Sequence, residues 1–295
     1  MVLVTGATGF LGSHLLMELL NRDQFLVVRA LFRSQESIQN TAQFFAYYSK
    51  STYINRIEWV EADILEIPTL AAAFVGITHV YHCAALVSFD PADEEKLRKT
   101  NIEGTFNLLN ACVKNGIKKF VYTSTTSIYG KSMVDDEKAV WVDESLFPDP
   151  RDIYDITKLT AELLCRDYFE KEAIETTILR VSRFLPENDN TKAIHRLYRG
   201  LDEEDGAIAH ILALEKHFQS FQIYNISNQS PFQKEDLSIL MRDPKSVIEK
   251  YYPQAEDIFA QKGWVFPSKI DRVYSIEKAK RELGYQPKNN FDSFL

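Results

Sequence analysis

The sequence predicts an α/β fold, a doubly wound parallel sheet covered by helices on both faces, with a small C-terminal lobe. Three observations lead there. The apolar run Val2-Leu3-Val4 is followed at once by the glycine-rich turn Thr5-Gly6-Ala7-Thr8-Gly9-Phe10-Leu11-Gly12 and then by a helical pattern opening at Ser13-His14-Leu15-Leu16. Apolar strand-like runs then alternate with amphipathic helical ones to about residue 181, as repeated strand–helix–strand units with right-handed crossovers require. Runs such as Phe120-Val121-Tyr122 are apolar throughout, as expected when both faces of a parallel sheet are covered.

In chain order, strands are expected near 2–5, 25–32, 57–61, 78–83, 118–123 and 175–181, and helices near 10–21, 35–50, 68–75, 92–115 and 154–172. Between the first strand and helix the glycine turn suits a pyrophosphate. Gly6 allows the tight turn, Gly9 lets backbone N–H groups approach phosphates, and Gly12 lets the helix pack close to its strand. The helix N-terminus adds unpaired donors and a partial positive charge. Thr8, Phe10 and Leu11, interleaved with these glycines, complete the first set of candidate cofactor contacts. Ligands of such sheets lie beyond the carboxyl ends of the strands, so the loops there should carry the chemistry.

After residue 181 the pattern becomes irregular. Residues 206–214 read as a helix and 221–225 as a strand, so 205–226 is expected to return to the N-terminal domain (1–181). The remainder of 182–295 reads as a smaller substrate-binding lobe of short helices joined by turns at Pro231, Pro244, Pro253, Pro267 and Pro287.

Composition excludes several classes of function. The 295 residues are 45% hydrophobic and 26% charged, enough for a large core. A formal net charge of −8, without a block of Lys or Arg, argues against nucleic acid as partner. Cys83, Cys112 and Cys165 are far apart and odd in number, which favours reduced thiols and a cytoplasmic location. Glu18 and Arg22 interrupt the first apolar stretch, so neither a signal peptide nor a membrane span is expected there. No His, Cys or Asp cluster has metal-ligand spacing, and no metal is expected.

Tyr154-Asp155-Ile156-Thr157-Lys158 opens a predicted helix, with Tyr154 and Lys158 four apart on one face. A free phenol titrates near pH ~10 and is a poor base at neutrality. A neighbouring ammonium favours the phenolate, which makes the tyrosine a usable proton acceptor or donor. Thr123-Ser124-Thr125-Thr126-Ser127 follows a strand, placing hydroxyls where a carbonyl or alkoxide could be held. A surface Tyr–Lys pair and a polar turn are the plainer alternatives.

With these motifs in order, the chain resembles the extended short-chain dehydrogenase/reductase family, in its NAD(P)-dependent epimerase/dehydratase group. The resemblance covers residues 1 to about 181 and returns at 205–226 and 271–287. It rests on Thr-Gly-x-x-Gly-x-x-Gly at 5–12, Asp63, His82-Cys83-Ala84-Ala85, Asn101-Ile102-Glu103-Gly104-Thr105, the stretch 123–130, Glu144, Pro148, Tyr154-x-x-x-Lys158 and Glu162. It implies a Rossmann-type domain in which Tyr154 is the catalytic acid/base. Lys158 would hold the nicotinamide ribose and tune Tyr154, Thr125 would orient the substrate oxygen, and Asn101 would support the active-site helix. Asp63 and Ile64 would contact adenine, and Ala84 and Ala85 the cofactor backbone; His82 is taken as structural. The resemblance further implies a homodimer through helices 92–115 and 154–172, with Leu159, Leu163 and Leu164 as apolar surface.

The nicotinamide cofactor is set at the end of the second strand, where an acid would hold the ribose of NAD about 20 residues beyond the fingerprint. This chain has Arg33 and Ser34 there instead, a pairing suited to the 2′-phosphate of NADP, so NADP is preferred over NAD. Two departures from the family pattern stand out. Asp155 and Thr157 replace the usual Gly and Ser of Tyr-Gly-x-Ser-Lys, and Arg183 replaces an asparagine ahead of an unusually short substrate segment. Ser88, Phe89, Trp141, Phe184 and His195 are candidates for the substrate pocket. The expected activity is hydride transfer between nicotinamide and a secondary alcohol or ketone carbon, as sugar epimerase or carbonyl reductase, on a sugar nucleotide or another small molecule. The competing class is a non-catalytic NAD(P)-binding sensor or scaffold.

Overall fold

The computed structural model describes residues 1–23 and 26–295. Among them are strands β1 (Val2–Thr5), β2 (Val28–Phe32), β3 (Ile57–Glu61), β4 (His79–His82), β5 (Lys119–Thr125), β6 (Val140–Val142), β7 (Glu175–Val181), β8 (Gln222–Ile226) and β9 (Arg272–Tyr274). Seven form one sheet in the order β3-β2-β1-β4-β5-β7-β8, every neighbouring pair parallel. The expected doubly wound parallel sheet is therefore present. The second strand begins at Val28; the first position expected for it, Phe25, lies outside the described residues.

The helices are α1 (Phe10–Arg22), α2 (Gln35–Tyr47), α3 (Ile67–Ala73), α4 (Glu94–Leu97), α5 (Gly104–Lys114), α6 (Ile153–Glu172), α7 (Asp189–Tyr198), α8 (Glu203–Glu215), α9 (Leu237–Leu240), α10 (Pro244–Tyr251), α11 (Ala255–Lys262) and α12 (Glu277–Leu283). Side chains along the central strands divide between two cores, because neighbouring residues of a strand point to opposite faces. Val2, Val4 and Val121 pack with Leu15, Leu16 and Ile211 of α1 and α8. Leu3, Phe120 and Tyr122 pack with Leu108, Leu109, Ala161 and Cys165 of α5 and α6. A third core, around Phe232, Ile248, Phe259, Val273 and Phe291, organises the C-terminal elements.

Three features depart from the expected elements. The helix expected at 92–115 carries a π-helical stretch, Arg98–Glu103, between α4 and α5; such local widening inside a helix is often found at functional sites. Strands β6 and β9 form a separate two-stranded parallel sheet that the sequence pattern missed, since three residues are too few to display a period. The helix expected at 35–50 ends at Tyr47, where Ser49 takes a left-handed φ of 59°.

Candidate active site

The order in which successive strands are laid across the sheet reverses between β1 and β4, the neighbours at the switch point, and a groove opens beyond their carboxyl ends. A cavity of about 240 Å³ is lined there by Gly6, Thr8, Gly9, Arg33, Asp63, Ile64, Ala84 and Ala85. Eight of the expected cofactor residues are thus brought together from four different loops. Thr5, Phe32, Cys83 and Thr100 also line it. The sequence reading missed Thr100, whose position follows from the π-helical stretch.

The glycines are required by close approach. At Gly6, with φ +65°, a Cβ would sit 2.6 Å from Ala84 N, so only glycine lets the first turn meet the end of β4. A Cβ at Gly12 would overlap the Gly6 carbonyl oxygen and lie 2.8 Å from Ala7 Cα. The N-terminus of α1 has no side-chain cap, Gly9 occupying that position, which leaves its first N–H groups to an incoming anion. The cradle fits a dinucleotide pyrophosphate.

Other expected contacts fall elsewhere. Gly12 and Leu11 lie off the cavity wall: Leu11 is buried, in contact range of the α8 backbone at Gly206. Phe10 stacks on Phe184, ring centroids 6.2 Å apart and planes at 18°. Ser34 is the N-cap of α2, its hydroxyl accepting from Ser37 N, which opposes a role as free phosphate donor; Arg33 remains exposed on the rim. Asp63 turns one carboxylate oxygen onto Leu65 N at 2.9 Å.

His82 is held on both ring nitrogens, by Thr5 Oγ1 at 2.7 Å and Thr105 Oγ1 at 2.9 Å. Thr105 donates to the Asn101 carbonyl and so accepts from His82 Nε2–H; Nδ1 must then accept from Thr5. Thr5 Oγ1 in turn accepts from Ala84 N, in the cavity wall. Burial pulls the imidazole pKa down to about 3.

Beside the groove, the hydroxyl run at the end of β5 meets α6. Lys158 is buried, donates to the Thr123 carbonyl at 2.7 Å and lies 4.3 Å from the Tyr122 ring centroid. Burial lowers its pKa to about 8. Thr123 Oγ1 also lies 3.3 Å from Cys83 Sγ, in the cavity wall. Tyr154 is buried near Thr125, with the Phe89 ring edge-on at 6.2 Å. Here one expectation is corrected. Lys158 does not depress the phenol in this state; burial holds Tyr154 well above the ordinary phenol range. The ammonium faces the Thr123 carbonyl.

Asn101, on the π-helical stretch, accepts from Leu86 N at 2.8 Å and donates to Leu86 O and to Thr157 Oγ1, both at 3.0 Å. It ties the loop after β4 to the first turn of α6. Glu162 accepts from Ser124 at 2.5 Å and pairs with both Arg180 Nη2 and Nε, at 2.7 and 3.0 Å. Arg180 continues to Tyr129, and Tyr129 to Asn225 on β8. Among the residues suggested for a substrate pocket, Phe89 meets Tyr154. Ser88 bonds Asp93, His195 bonds Glu187 at 2.7 Å, and Trp141 packs against the C-terminal core.

A doubly wound parallel sheet, a glycine cradle at its switch point and a Tyr–Lys–Thr group alongside define a dinucleotide-binding α/β protein. The profile of the NAD dependent epimerase/dehydratase family matches residues 2–216, and the chain belongs to that family. It is 27% identical over 321 residues to UDP-glucuronic acid decarboxylase 1 of Arabidopsis thaliana, covering 97% of this chain and 66% of the relative. It is 28% identical to cinnamoyl-CoA reductase 1 of Oryza sativa subsp. japonica, over 73% of this chain and 68% of the relative. The chain therefore spans about two thirds of the length of these relatives. Among solved structures, the UDP-glucuronic acid 4-epimerase of Bacillus cereus in complex with NAD superposes with a TM-score of 0.66 at 27% identity, covering 98% of this chain and 92% of that one. Among the described residues no helix is long and apolar enough to cross a membrane.

Proposed function

We propose that the chain is a nicotinamide-dependent oxidoreductase acting on a secondary alcohol or ketone, with Tyr154 as the group that moves the proton. The observation that carries this is the convergence of Tyr154, Lys158 and Thr125 at the carboxyl end of β5, linked through Thr123 and Cys83 to the wall of the glycine-lined groove. A nicotinamide bound in the groove would supply or accept a hydride. Tyr154 transfers the matching proton, Thr125 holds the substrate oxygen, and the Lys158 cation favours negative charge on the phenol oxygen as it forms. Asn101 fixes the first turn of α6 and so the direction of the Tyr154 side chain.

Arg33 on the cavity rim and the lack of an acid at the end of β2 support NADP. The NAD in the Bacillus cereus neighbour supports NAD, and titration decides between them. Carbonyl reduction is the primary reading. Epimerisation of a sugar nucleotide is the second, supported by the sequence and fold likeness to the 4-epimerase. A homodimer through α5 and α6 is supported by Phe106 at 45% and Leu163 at 60% exposure; Leu164 packs against the sheet core instead. Three free cysteines support a cytoplasmic location.

The test is fluorescence titration with NADH and NADPH, followed by a turnover panel of UDP-glucuronic acid, UDP-glucose and aromatic ketones. Tyr154→Phe should keep cofactor Kd within about threefold while turnover falls ~10²–10⁴-fold. Undiminished turnover would remove Tyr154 from its role. A wild type that binds cofactor yet turns over nothing would favour the sensor or scaffold reading.

A further inference from the structure

Lys158 carries a buried charge, and among the described residues no carboxylate forms an ion pair with it. Glu162 stands one turn further along α6, but its carboxylate is taken. Oε1 accepts from Ser124 and from Arg180 Nε, and Oε2 from Arg180 Nη2. A desolvated ammonium is costly unless other groups compensate. One hydrogen bond does so in part, to the Thr123 carbonyl at 2.7 Å. The other compensating group is the Tyr122 ring. Lys158 Nζ stands 4.3 Å from its centroid, the shortest cation–ring approach among the described residues.

The period of the strand produces this contact. Tyr122 and Ser124 alternate along β5 and so share the face that packs on α6. Ser124 meets Glu162, and Tyr122 meets Lys158 one helical turn earlier. Tyr122 is fully buried in the core of Leu108, Leu109, Ala161 and Cys165, which fixes its ring. Thr123 lies on the opposite face, its hydroxyl 2.8 Å from His210 Nε2, so the carbonyl that receives Lys158 is anchored as well. The titratable groups facing Lys158 are Glu162 and Cys165 of α6, Cys83 and His82 at the end of β4, and Tyr122. Burial pushes the Cys83 thiol up to about 11 and raises Cys165 further, so both are neutral. His82, its ring 5.5 Å from that of Tyr122, is neutral too, and no second cation competes for the ring.

We propose that Tyr122 is a positioning residue for this site: the face of its ring keeps Lys158 charged and holds the ammonium against β5, one helical turn from Tyr154. The inference rests on Tyr154 and Lys158 acting as proposed above. A ring quadrupole attracts a cation without neutralising it and without taking a conventional hydrogen bond. A carboxylate in the same place would do both. Among the described residues two of the three ammonium N–H groups therefore stay without an acceptor, available to the hydroxyls of a nicotinamide ribose. The whole positive charge also remains to favour the phenolate as it forms. Burial already lowers Lys158 to about 8, so loss of the ring's attraction would leave more of it uncharged near neutral pH.

The test compares Tyr122→Leu with Tyr122→Phe, which keeps the ring. The first measurement needs no turnover. In protein labelled with ¹⁵N at lysine Nζ, the Lys158 signal is assigned with Lys158→Arg and followed against pH. Its titration should fall by about one pH unit in Tyr122→Leu and stay near the wild-type value in Tyr122→Phe. Replacing Tyr122 by trifluorophenylalanine keeps the ring's shape and weakens its negative face, so this protein serves where Tyr122→Leu does not fold. It should titrate below Tyr122→Phe, a shift that a purely structural role would not produce. The second measurement is the alkaline limb of kcat with the converted member of the turnover panel. It should move down with the titration in Tyr122→Leu and return in Tyr122→Phe. A Lys158 titration that neither the Leu nor the trifluorophenylalanine replacement moves would overturn the proposal, whatever Tyr154 does. A titration that moves while the alkaline limb stays would overturn the positioning role, because the charge would then be idle. Full turnover in Tyr154→Phe, or a wild type that converts nothing, would end the Tyr154 reading and this role with it, and the titration alone would still report the contact between ring and ammonium.

Discussion

Acid should destabilise this protein through two histidines that the fold keeps neutral. His82 is fully buried between Thr5 and Thr105, and His210 is fully buried between Thr123 and the Gly206 carbonyl. Each has one nitrogen acting as donor and the other as acceptor, so a second ring proton would meet a hydroxyl that is itself donating. Desolvation pulls their pKa values to about 3 and about 4, from an unfolded value of 6.5. Because the folded pKa is the lower one, the unfolded chain binds more protons below pH 6.5, and stability is lost as pH falls through the window from about 6.5 to about 4. Going from pH 7.5 to 5.0, each histidine then removes about 2 kcal/mol of stability. His82→Gln retains a donor toward Thr105, and His210→Asn one toward Gly206. Urea unfolding of the wild type and both variants at the two pH values isolates each contribution from the carboxylates. Each variant should lose about 2 kcal/mol less than wild type between those pH values. Equal losses in all three proteins would refute the assignment of these rings as neutral, desolvated groups. Since His82 supports Thr5 and, through it, Ala84 in the cavity wall, and the folded ring stays neutral over this window, NADH affinity of the folded protein should hold across it.

Three further outcomes follow from the geometry. Gly12→Ala drives a methyl group into the Gly6 carbonyl and Ala7; it should raise NADH Kd at least tenfold by fluorescence titration and cost about 1–3 kcal/mol in urea unfolding. Glu162→Gln leaves Arg180 buried without its carboxylate, a loss of about 3–5 kcal/mol. For a chain of this length that is a Tm drop of about 5–8 °C by circular dichroism. Arg33→Ala should weaken NADPH at least fivefold and leave NADH within twofold if Arg33 reads the 2′-phosphate; equal effects on both would assign it no role in that choice.

What the sequence determined by itself is the sheet and the cradle. Strand composition, the position of the glycines and the spacing of Tyr154 and Lys158 are local properties, fixed by backbone sterics and by the periods of strand and helix. Val2–Thr5, Ile57–Glu61 and Glu175–Val181 appear where the apolar runs place them. Motif order along the chain also sufficed to bring Gly6, Arg33, Asp63 and Ala84 to one groove, since parallel strands present all their carboxyl ends on one side. The electrostatics lay beyond it. That burial raises Tyr154, that Lys158 faces the Thr123 carbonyl, and that Ser34 caps α2 depend on distances between residues remote in sequence. Asp155 reads in sequence as an ordinary first-turn acid, well placed beside a helix dipole. Only tertiary packing removes that same carboxylate from water, and burial then raises it above the ordinary carboxylate range.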